Sequence, residues 1–268
     1  MNIQKQLEKA KIIPDPLRDQ FFLTDEEIIK KTVELADVSR GDTVLEIGAG
    51  TGNLTGELAR KARRVIAFEI DEKFKPFLSK LPKNVEVHYE NAWKYVQMHG
   101  KWRKKKEYNK VVSNLPYSFI EPFLHNLTFL DYDKVIILVP KRFLKKTGKW
   151  GIFGSFFKPE VLLEVPKEKF YPIPRTDSIL VDLVKLPDPS EIKNLGRFLR
   201  QCMYQHEDQL VKNSLMEGLI NYNWTIYSKR LTKNEARGIV AGKGIDQKLL
   251  DQRPVNSEIY ELVEEKFS

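Results

Sequence analysis

The sequence is poor in the features that build disulfides, metal clusters and membrane spans. Cys202 is its only cysteine, which excludes an internal disulfide and a zinc cluster made of several cysteines. No apolar run approaches membrane-spanning length, and residues 1–11 are polar rather than signal-like. Internal repeats and low-complexity tracts are also absent. We therefore expect a soluble cytoplasmic protein, a monomer, with no metal centre and no membrane partner.

Acidic residues are too few to balance the basic ones in the first 187 residues. The chain has 45 Lys/Arg and 37 Asp/Glu, a net charge of +8, while residues 188–268 contain twelve of each. The excess includes two clusters, residues 101–106 and a group formed by Lys141, Arg142, Lys145, Lys146 and Lys149. This distribution suits a nucleic acid partner, although a solvated loop is the alternative for residues 101–106.

The first two thirds of the sequence alternates between strand and helix patterns. Apolar, β-branched runs predict strands at residues 43–47, 65–70, 85–88, 110–113 and 134–139. Residues 24–27 (T-D-E-E) predict a capping box between Thr24 and Glu27 at the start of a helix. Two later runs, 160–165 and 178–184, predict an antiparallel hairpin that closes the sheet. The expected fold is therefore α/β, with a doubly wound, seven-stranded Rossmann-like sheet.

A Pro-rich break at residues 186–190 predicts a linker. Helical segments at residues 191–205 and 208–220 follow it, and nothing beyond the break alternates like a strand. We expect two domains, residues 1–186 with the sheet and residues 187–268 as a small helical domain.

The pattern E-x-G-x-G-x-G spans residues 46–52, directly after the first predicted strand. Glycines there let the backbone approach a ligand closely, and the following helix directs its N-terminus toward that ligand. The spacing fails the dinucleotide pattern G-x-G-x-x-G, because position 53 is Asn. Glu69 at the end of the second strand can accept the ribose hydroxyls of a nucleoside, and Asn91 after the third strand can bond an adenine edge. This order predicts a methyltransferase fold that binds S-adenosylmethionine.

The four residues N-L-P-Y follow the fourth predicted strand, as Asn114, Leu115, Pro116 and Tyr117. The Asn114 carboxamide oxygen and a backbone carbonyl beside Pro116 can each accept a hydrogen bond from an aromatic amino group. Tyr117 offers a flat face for an unstacked base. An ordinary strand followed by a Pro turn is the plain alternative, and the position behind the glycine loop argues against it. The motif predicts methylation of an exocyclic amino group.

These motifs resemble those of the rRNA adenine N6-dimethyltransferases, and the resemblance extends along nearly the whole chain. Residues 19–23 (D-Q-F-F-L) are similar to the family's G-Q-N-F-L segment, and residues 170–178 resemble its F-x-P-x-P-[KR]-V-D-S loop. The resemblance implies an S-adenosylmethionine-dependent enzyme that modifies adenine N6 in structured RNA, with rRNA or a small ribosomal subunit precursor as its partner.

The resemblance also implies site residues. The S-adenosylmethionine site would consist of Leu23, Gly48, Gly50, Glu69, Asn91 and Asn114. Catalysis would fall to Asn114, Leu115 and Pro116, with Tyr117 stacked on the flipped adenine and Phe170 covering its other face.

Several positions depart from the family pattern. Asp19 and Phe21 replace a Gly and an Asn, Asn91 replaces an acidic residue, and Ser118 stands where the family continues with Asn or Gln. Residues 205–209 (Q-H-E-D-Q) replace a basic run. Two alternatives therefore stay open, a nucleic-acid-binding protein that has lost the reaction and, more weakly, a DNA adenine methyltransferase.

Overall fold

The computed structural model describes residues 3–93, 95, 107–128, 132–143, 152–254 and 257–268. The chain divides into two compact units, Met1–Phe143 with Pro159–Val184, and Leu144–Lys158 with Lys185–Ser268. The boundary expected at residue 186 stays a prediction. The basic residues 101–106 and Lys145, Lys146 and Lys149 lie outside the described part of the chain.

The strands follow the apolar runs of the sequence. In chain order they are β1 (Phe22–Leu23), β2 (Thr43–Ile47), β3 (Arg64–Phe68), β4 (Val85–His88), β5 (Lys110–Asn114), β6 (Lys134–Pro140), β7 (Phe157–Val165), β8 (Phe170–Tyr171) and β9 (Ser178–Lys185). Seven of these described strands form one sheet in the order β4-β3-β2-β5-β6-β9-β7. The pairs from β4 to β6 are parallel, and β9 runs antiparallel to β6. The predicted doubly wound sheet is therefore confirmed.

The strand order places the chain reversal of the sheet between β2 and β5. The chain moves outward from β2 to β4, then returns to place β5 on the other side of β2. Loops that leave the carboxyl ends of two such strands diverge and open a crevice between them. The glycine-rich residues 48–52 leave β2, and residues 114–117 leave β5. The fold thus brings the two main sequence motifs to one crevice.

Helices flank the sheet in the first unit. They are α1 (Ile3–Lys9), α2 (Glu26–Leu35), α3 (Asn53–Lys61), α4 (Lys75–Leu78) and α5 (Ile120–Leu127). The predicted capping box of α2 is wrong, because Asp25 is the N-cap and its side chain accepts from the Glu27 and Ile28 amides. The amide and hydroxyl of Thr24 instead both donate to the Lys169 carbonyl at 2.8 Å.

A small second sheet joins β1 to β8, which the sequence did not predict. The register pairs Phe22 with Tyr171 and Leu23 with Phe170. The Lys169 ammonium also contacts the Asp25 carboxylate at 2.5 Å, which holds the two segments together beside this pair. The segment that precedes β2 in the chain is thereby fixed against the loop that precedes β9.

The second unit is helical, as expected. Its helices are α6 (Leu195–Gln205), α7 (Val211–Tyr227), α8 (Lys233–Gly242), α9 (Gln247–Leu250) and α10 (Ser257–Phe267). The first begins four residues later than predicted, because Asn194 caps it by accepting from the Arg197 amide at 2.9 Å. The second ends seven residues beyond the predicted end. None of the described helices is long and apolar enough to cross a membrane.

A buried arginine organises the second unit. Arg200 is 6% exposed, and its guanidinium donates to the Phe153 carbonyl at 2.6 Å, the Ser155 hydroxyl at 3.1 Å and the Glu264 carboxylate at 2.8 Å. A buried charge is tolerated when its donors are satisfied in this way. This residue therefore ties the segment before β7 to both α6 and α10.

Candidate functional site

The loop after β2 is shaped by glycines in the left-handed region. Gly48 has φ 81° and Gly50 has φ 54°. A Cβ on Gly50 would stand 2.8 Å from the Phe22 ring, and one on Gly48 would stand 3.2 Å from Pro116. Side chains at these two positions would therefore be both strained and crowded. The loop leaves room for a ligand only because it lacks them.

Glu69 closes this loop from the neighbouring strand. One of its carboxylate oxygens accepts from the Gly50 amide at 2.7 Å, and the other accepts from the Asp71 amide at 2.8 Å. Burial raises the pKa of Glu69 above its usual value, and the two amide bonds oppose that effect. Each oxygen keeps a second lone pair, so the carboxylate can still accept two ligand hydroxyls.

Glu46 is the first residue of the glycine pattern, and the sequence assigns it no further role. The structure places it in the wall of the cavity. Its side chain is buried in the cavity wall, and its Oε2 atom has no hydrogen-bond partner within the described residues. Burial, with a smaller contribution from the Glu69 charge, raises the pKa of Glu46 to about 8. A buried polar atom without a partner is costly, which suits a position beside a polar ligand.

Asn91 also lines this cavity. Its carboxamide oxygen accepts from the Trp93 amide at 2.9 Å, so the side chain is held by its own backbone. The atom able to reach a ligand is then Nδ2, a donor that suits a ring nitrogen such as adenine N1. An acidic residue at this position would offer only acceptors.

Asn114 is oriented by a residue far away in the sequence. Its Nδ2 atom donates to the Phe21 carbonyl at 3.1 Å. Because the nitrogen is held in this way, the amide atom that can accept from a substrate amino group is Oδ1. The orientation is the one that the sequence-based mechanism requires.

Two further contacts fasten residues 19–21 to the loop that follows β5. The Asp19 carboxylate accepts from the Ser118 amide at 2.9 Å, and Asp19 itself sits in the left-handed region at φ 57°. The Phe21 ring stacks on Tyr117, with centroids 5.9 Å apart and planes 23° from parallel. Three positions that depart from the family pattern, Asp19, Phe21 and Ser118, thus lie together. Sequence reasoning noted each change singly and missed this grouping.

The three remaining predicted residues differ in position. Tyr117 is half-buried, and the Arg142 guanidinium lies 5.4 Å from its ring centroid. Leu115 is 1% exposed, and Phe170 is 4% exposed within the hydrophobic core. The side chains of Leu115 and Phe170 therefore support the loops by packing. The roles of Leu115, Tyr117 and Phe170 toward a substrate stay predictions.

A cavity of about 580 Å³ joins these groups. All six residues predicted to bind the cofactor line it, as does Pro116. Leu115, Tyr117 and Phe170 do not belong to its wall. The volume lies within the range of small-molecule sites, which are usually apolar clefts with a few placed polar groups.

Comparison with known proteins identifies the family. The ribosomal RNA adenine dimethylase family matches residues 18–238. The chain belongs to this family. It is 32% identical over 235 residues to ribosomal RNA small subunit methyltransferase A of Thermotoga maritima, which covers 82% of this chain and 81% of that protein. A relative in Pyrococcus abyssi, a probable ribosomal RNA small subunit methyltransferase A, is 31% identical and covers 79% of both chains.

Solved structures show the same fold. A dimethyladenosine transferase from Plasmodium falciparum superposes with a TM-score of 0.58 at 20% identity, covering 90% of this chain and 95% of that one. The 23S rRNA methyltransferase ErmE superposes with a TM-score of 0.56 at 20% identity, covering 92% and 99%. The match of the dimethylase family to both units agrees with the resemblance found in the sequence motifs.

Proposed function

We propose that this protein transfers methyl groups from S-adenosylmethionine to adenine N6 in rRNA. The observation that carries the proposal is the Asn114 side chain, whose nitrogen donates to the Phe21 carbonyl beside a cavity lined by the glycine loop. An amide held in this way can present its oxygen, an acceptor, to an amino group. The Thermotoga relative is named for methylation of the small subunit rRNA, and we extend that substrate class to this chain.

The cavity fits the cofactor. Gly48 and Gly50 provide a close backbone approach that a Cβ would prevent, and Glu69 has lone pairs for the two ribose hydroxyls. Asn91 Nδ2 can donate to the adenine ring, and Glu46 Oε2 is a buried polar atom without a protein partner in the described residues. When bound, S-adenosylmethionine supplies a methyl group on a cationic sulfur, which is a good leaving group.

The chain's own residues would act by positioning. Asn114 Oδ1 and a backbone carbonyl beside Pro116 would accept hydrogen bonds from the two N6 hydrogens, which turns the nitrogen lone pair toward the methyl group. In this transfer N6 would take the methyl group, the sulfur would keep the electron pair of the broken S–C bond, and one N6 proton would pass to water. That proton becomes acidic only as the new bond forms, so a general base with a shifted pKa is not required. Tyr117 would carry the flipped base on its ring.

The same proposal covers the remaining expectations. We assign methyl transfer to residues 1–186 and RNA contact to residues 187–268, with Leu23, Leu115 and Phe170 shaping the site. The enzyme would act as a cytoplasmic monomer on rRNA or a small subunit precursor. The basic excess of residues 1–187 supports an RNA partner, because phosphates supply much of the affinity for nucleic acid.

One observation favours a second function. The Phe21 ring stacks on Tyr117, the ring that should receive the base. If this stack persisted on RNA, the protein would bind nucleic acid without methylating it. The two functions differ in cofactor binding and in turnover.

Replacing Asn114 by Ala separates them. We expect methyl transfer to an rRNA substrate to fall by at least about 100-fold, as for loss of a group that orients reactants, while Kd for RNA changes less than about twofold. Transfer is measured with a labelled methyl group, cofactor binding by calorimetry and RNA binding by anisotropy. Asn126→Ala is the matched control, because its amide donates to the Pro122 carbonyl at 2.8 Å within α5. Failure of the unmodified protein to bind the cofactor at millimolar concentration would overturn the proposal.

A further inference from the structure

The end of α7 presents two aromatic side chains to solvent. Trp224 is 57% exposed and Tyr227 is 60% exposed, and they are the exposed aromatic residues of the described chain. Residues three apart on a helix lie on the same face. A folded protein leaves two large rings together in solvent at a cost in hydrophobic free energy, so the pair is a candidate binding surface.

The aromatic pair lies on a helix end that is fixed by packing and by a C-cap. The Tyr227 ring makes an edge contact with buried Tyr222, with centroids 6.1 Å apart, and Tyr222 makes another with Phe198 at 5.2 Å. Ser228, in the left-handed region at φ 52°, ends the helix, and its amide donates to the Trp224 carbonyl at 3.0 Å. The rings therefore stand on a fixed helix end, and the chain turns sharply after them.

Four cations follow directly. Lys229, Arg230, Lys233 and Arg237 are all exposed. The ion pairs found among the described residues 195–268 join Arg200 to Glu264, Lys212 to Asp251 and His206 to Glu217, and none of them involves these four cations. Lys229 interacts electrostatically with Glu235 without forming an ion pair within these residues. The nearby acid Glu235 accepts from both the amide and the hydroxyl of Thr232 at 2.7 Å, so it is engaged in capping α8.

Positive charge is concentrated in residues 223–240, although residues 188–268 as a whole are neutral. Residues 223–240 contain four Lys/Arg and one Asp/Glu, whereas the rest of residues 188–268 contains eight Lys/Arg and eleven Asp/Glu. Basic residues therefore outnumber acidic ones in the segment that carries the two rings, and acidic residues outnumber basic ones in the rest of residues 188–268. A local surplus of positive charge raises the concentration of polyanions near that segment.

We propose that the surface formed by Trp224, Tyr227, Lys229, Arg230, Lys233 and Arg237 binds unpaired nucleotides of RNA. Bases stack on the two rings, and the cations contact the adjoining phosphates. Paired nucleotides do not fit, because the faces of their bases are covered by neighbouring base pairs. The choice of RNA rests on the proposed function, whereas the stacking surface rests on the exposed rings and the exposed cations. This surface supplies RNA contacts that residues 205–209, with Glu207 and Asp208, do not.

Binding of the full-length protein to a labelled single-stranded RNA of about 12 nucleotides tests the surface. Trp224→Ala should raise Kd at least about fivefold, since a stacked base contributes roughly 1–3 kcal/mol. Trp224→Phe keeps a ring and should stay close to the unmodified protein, which controls for folding. The tryptophan fluorescence quenched by RNA should be largely absent from Trp224→Phe. Equal Kd values for the unmodified protein and Trp224→Ala would overturn the proposal.

The cations are tested through the salt dependence of binding. Lys229→Gln with Arg230→Gln should lower the slope of log Kd against log salt by about 1.4, which is the value for two single-strand phosphate contacts. Lys248→Gln with Lys266→Gln removes the same charge from exposed positions outside the surface and should leave the slope nearly unchanged. The same slope change in both double variants would show a general charge effect and refute the site. Loss of binding to phosphatidylserine vesicles without loss of RNA binding would refute it too.

Methyl transfer distinguishes failure of this inference from failure of the proposed function. If the protein methylates rRNA and Trp224→Ala raises KM without lowering kcat, both stand. If transfer is normal and the variants bind and react like the unmodified protein, only the surface is refuted. If no RNA is methylated but Trp224→Ala still weakens RNA binding, the surface stands and the enzyme proposal falls.

Discussion

The two sides of the cavity are held together in different ways. The glycine side, formed by Gly48, Gly50 and Glu69, is joined by a hydrogen bond between positions 19 apart. The Asn114 side consists of Asp19, Phe21, Asn114, Tyr117 and Ser118. Its hydrogen bonds join positions 93 and 99 apart. The structure of the glycine side can be predicted from local sequence, because its contacts join nearby segments. The structure of the Asn114 side depends on the completed fold, because its contacts join segments far apart in the sequence.

The difference predicts separate functions for the two sides. The glycine side has the backbone approach and the carboxylate that a nucleoside cofactor needs. The Asn114 side orients one amide and one aromatic ring, which are groups that position a base. Changes on the glycine side should therefore alter cofactor affinity, and changes on the Asn114 side should alter methyl transfer.

Gly50→Ala should have the largest effect. The new methyl group would stand 2.8 Å from the Phe22 ring in a backbone conformation with φ 54°. We expect a loss of about 2–3 kcal/mol in the free energy of unfolding and at least about tenfold weaker binding of S-adenosylmethionine. Calorimetry and urea unfolding measure the two effects.

Gly56→Ala is the matched control for that change. Gly56 lies in α3, where an added Cβ would meet only Leu81 at 3.7 Å, an ordinary contact. This variant should be as stable as the unmodified protein or slightly more stable, because Ala favours a helix over Gly. Equal losses in the two variants would mean that the glycine loop has no special role.

Glu46→Gln should have the next largest effect, and it depends on pH. Burial raises the pKa of folded Glu46 to about 8, so it keeps its proton up to about that pH, while the unfolded chain releases it near the usual value of 4.5. The unfolded state therefore binds fewer protons between these values, and the stability of the protein falls as pH rises through this window. Gln carries no such proton, so the variant should gain at least about 2 kcal/mol at pH 8.5 and nothing at pH 4.

Urea unfolding at both pH values measures the difference. Glu27→Gln, at an exposed position in the first turn of α2, is the control and should give no comparable gain. A gain for Glu46→Gln of the same size at both pH values would contradict the raised pKa of Glu46. It would instead point to better packing of the amide.

The same contrast explains how far the sequence could predict the structure. The positions of the parallel strands along the chain and the glycine loop follow from apolar runs and glycine spacing, which are local signals. The β1 and β8 pair and the Asp19 to Ser118 bond join segments far apart, and neither residue type requires the other. Glu46 could have been found from its own position, because a carboxylate inside an apolar strand has no solvent to stabilise its charge. The N-cap of α2 was misplaced by one residue, since Thr24 and Asp25 are both good caps.

Phe21 and Phe22 provide the sharpest test of the difference between the two sides of the cavity. These adjacent residues contact different sides, Phe21 the Asn114 side and Phe22 the glycine side. The Phe21 ring stacks on Tyr117 at 5.9 Å, whereas the Phe22 ring makes an edge contact with Phe74 at 5.3 Å and lies against Gly50. Phe21→Leu should lower methyl transfer roughly threefold, since an aromatic pair contributes about 0.5–1.5 kcal/mol, and should leave cofactor affinity within about twofold. Phe22→Leu should weaken cofactor binding instead.

The direction of the Phe21 effect decides what the stack does. If the Phe21 ring fixes Tyr117 for the incoming base, its removal slows transfer, and Phe21→Tyr, which keeps a ring, restores it. Faster transfer by Phe21→Leu would show that the Phe21 ring competes with the base for Tyr117. That result would also strengthen the function in which RNA is bound without being methylated. Cofactor titrations and single-turnover transfer assays on the four proteins separate these results, because a side built across the chain should change turnover without changing cofactor affinity.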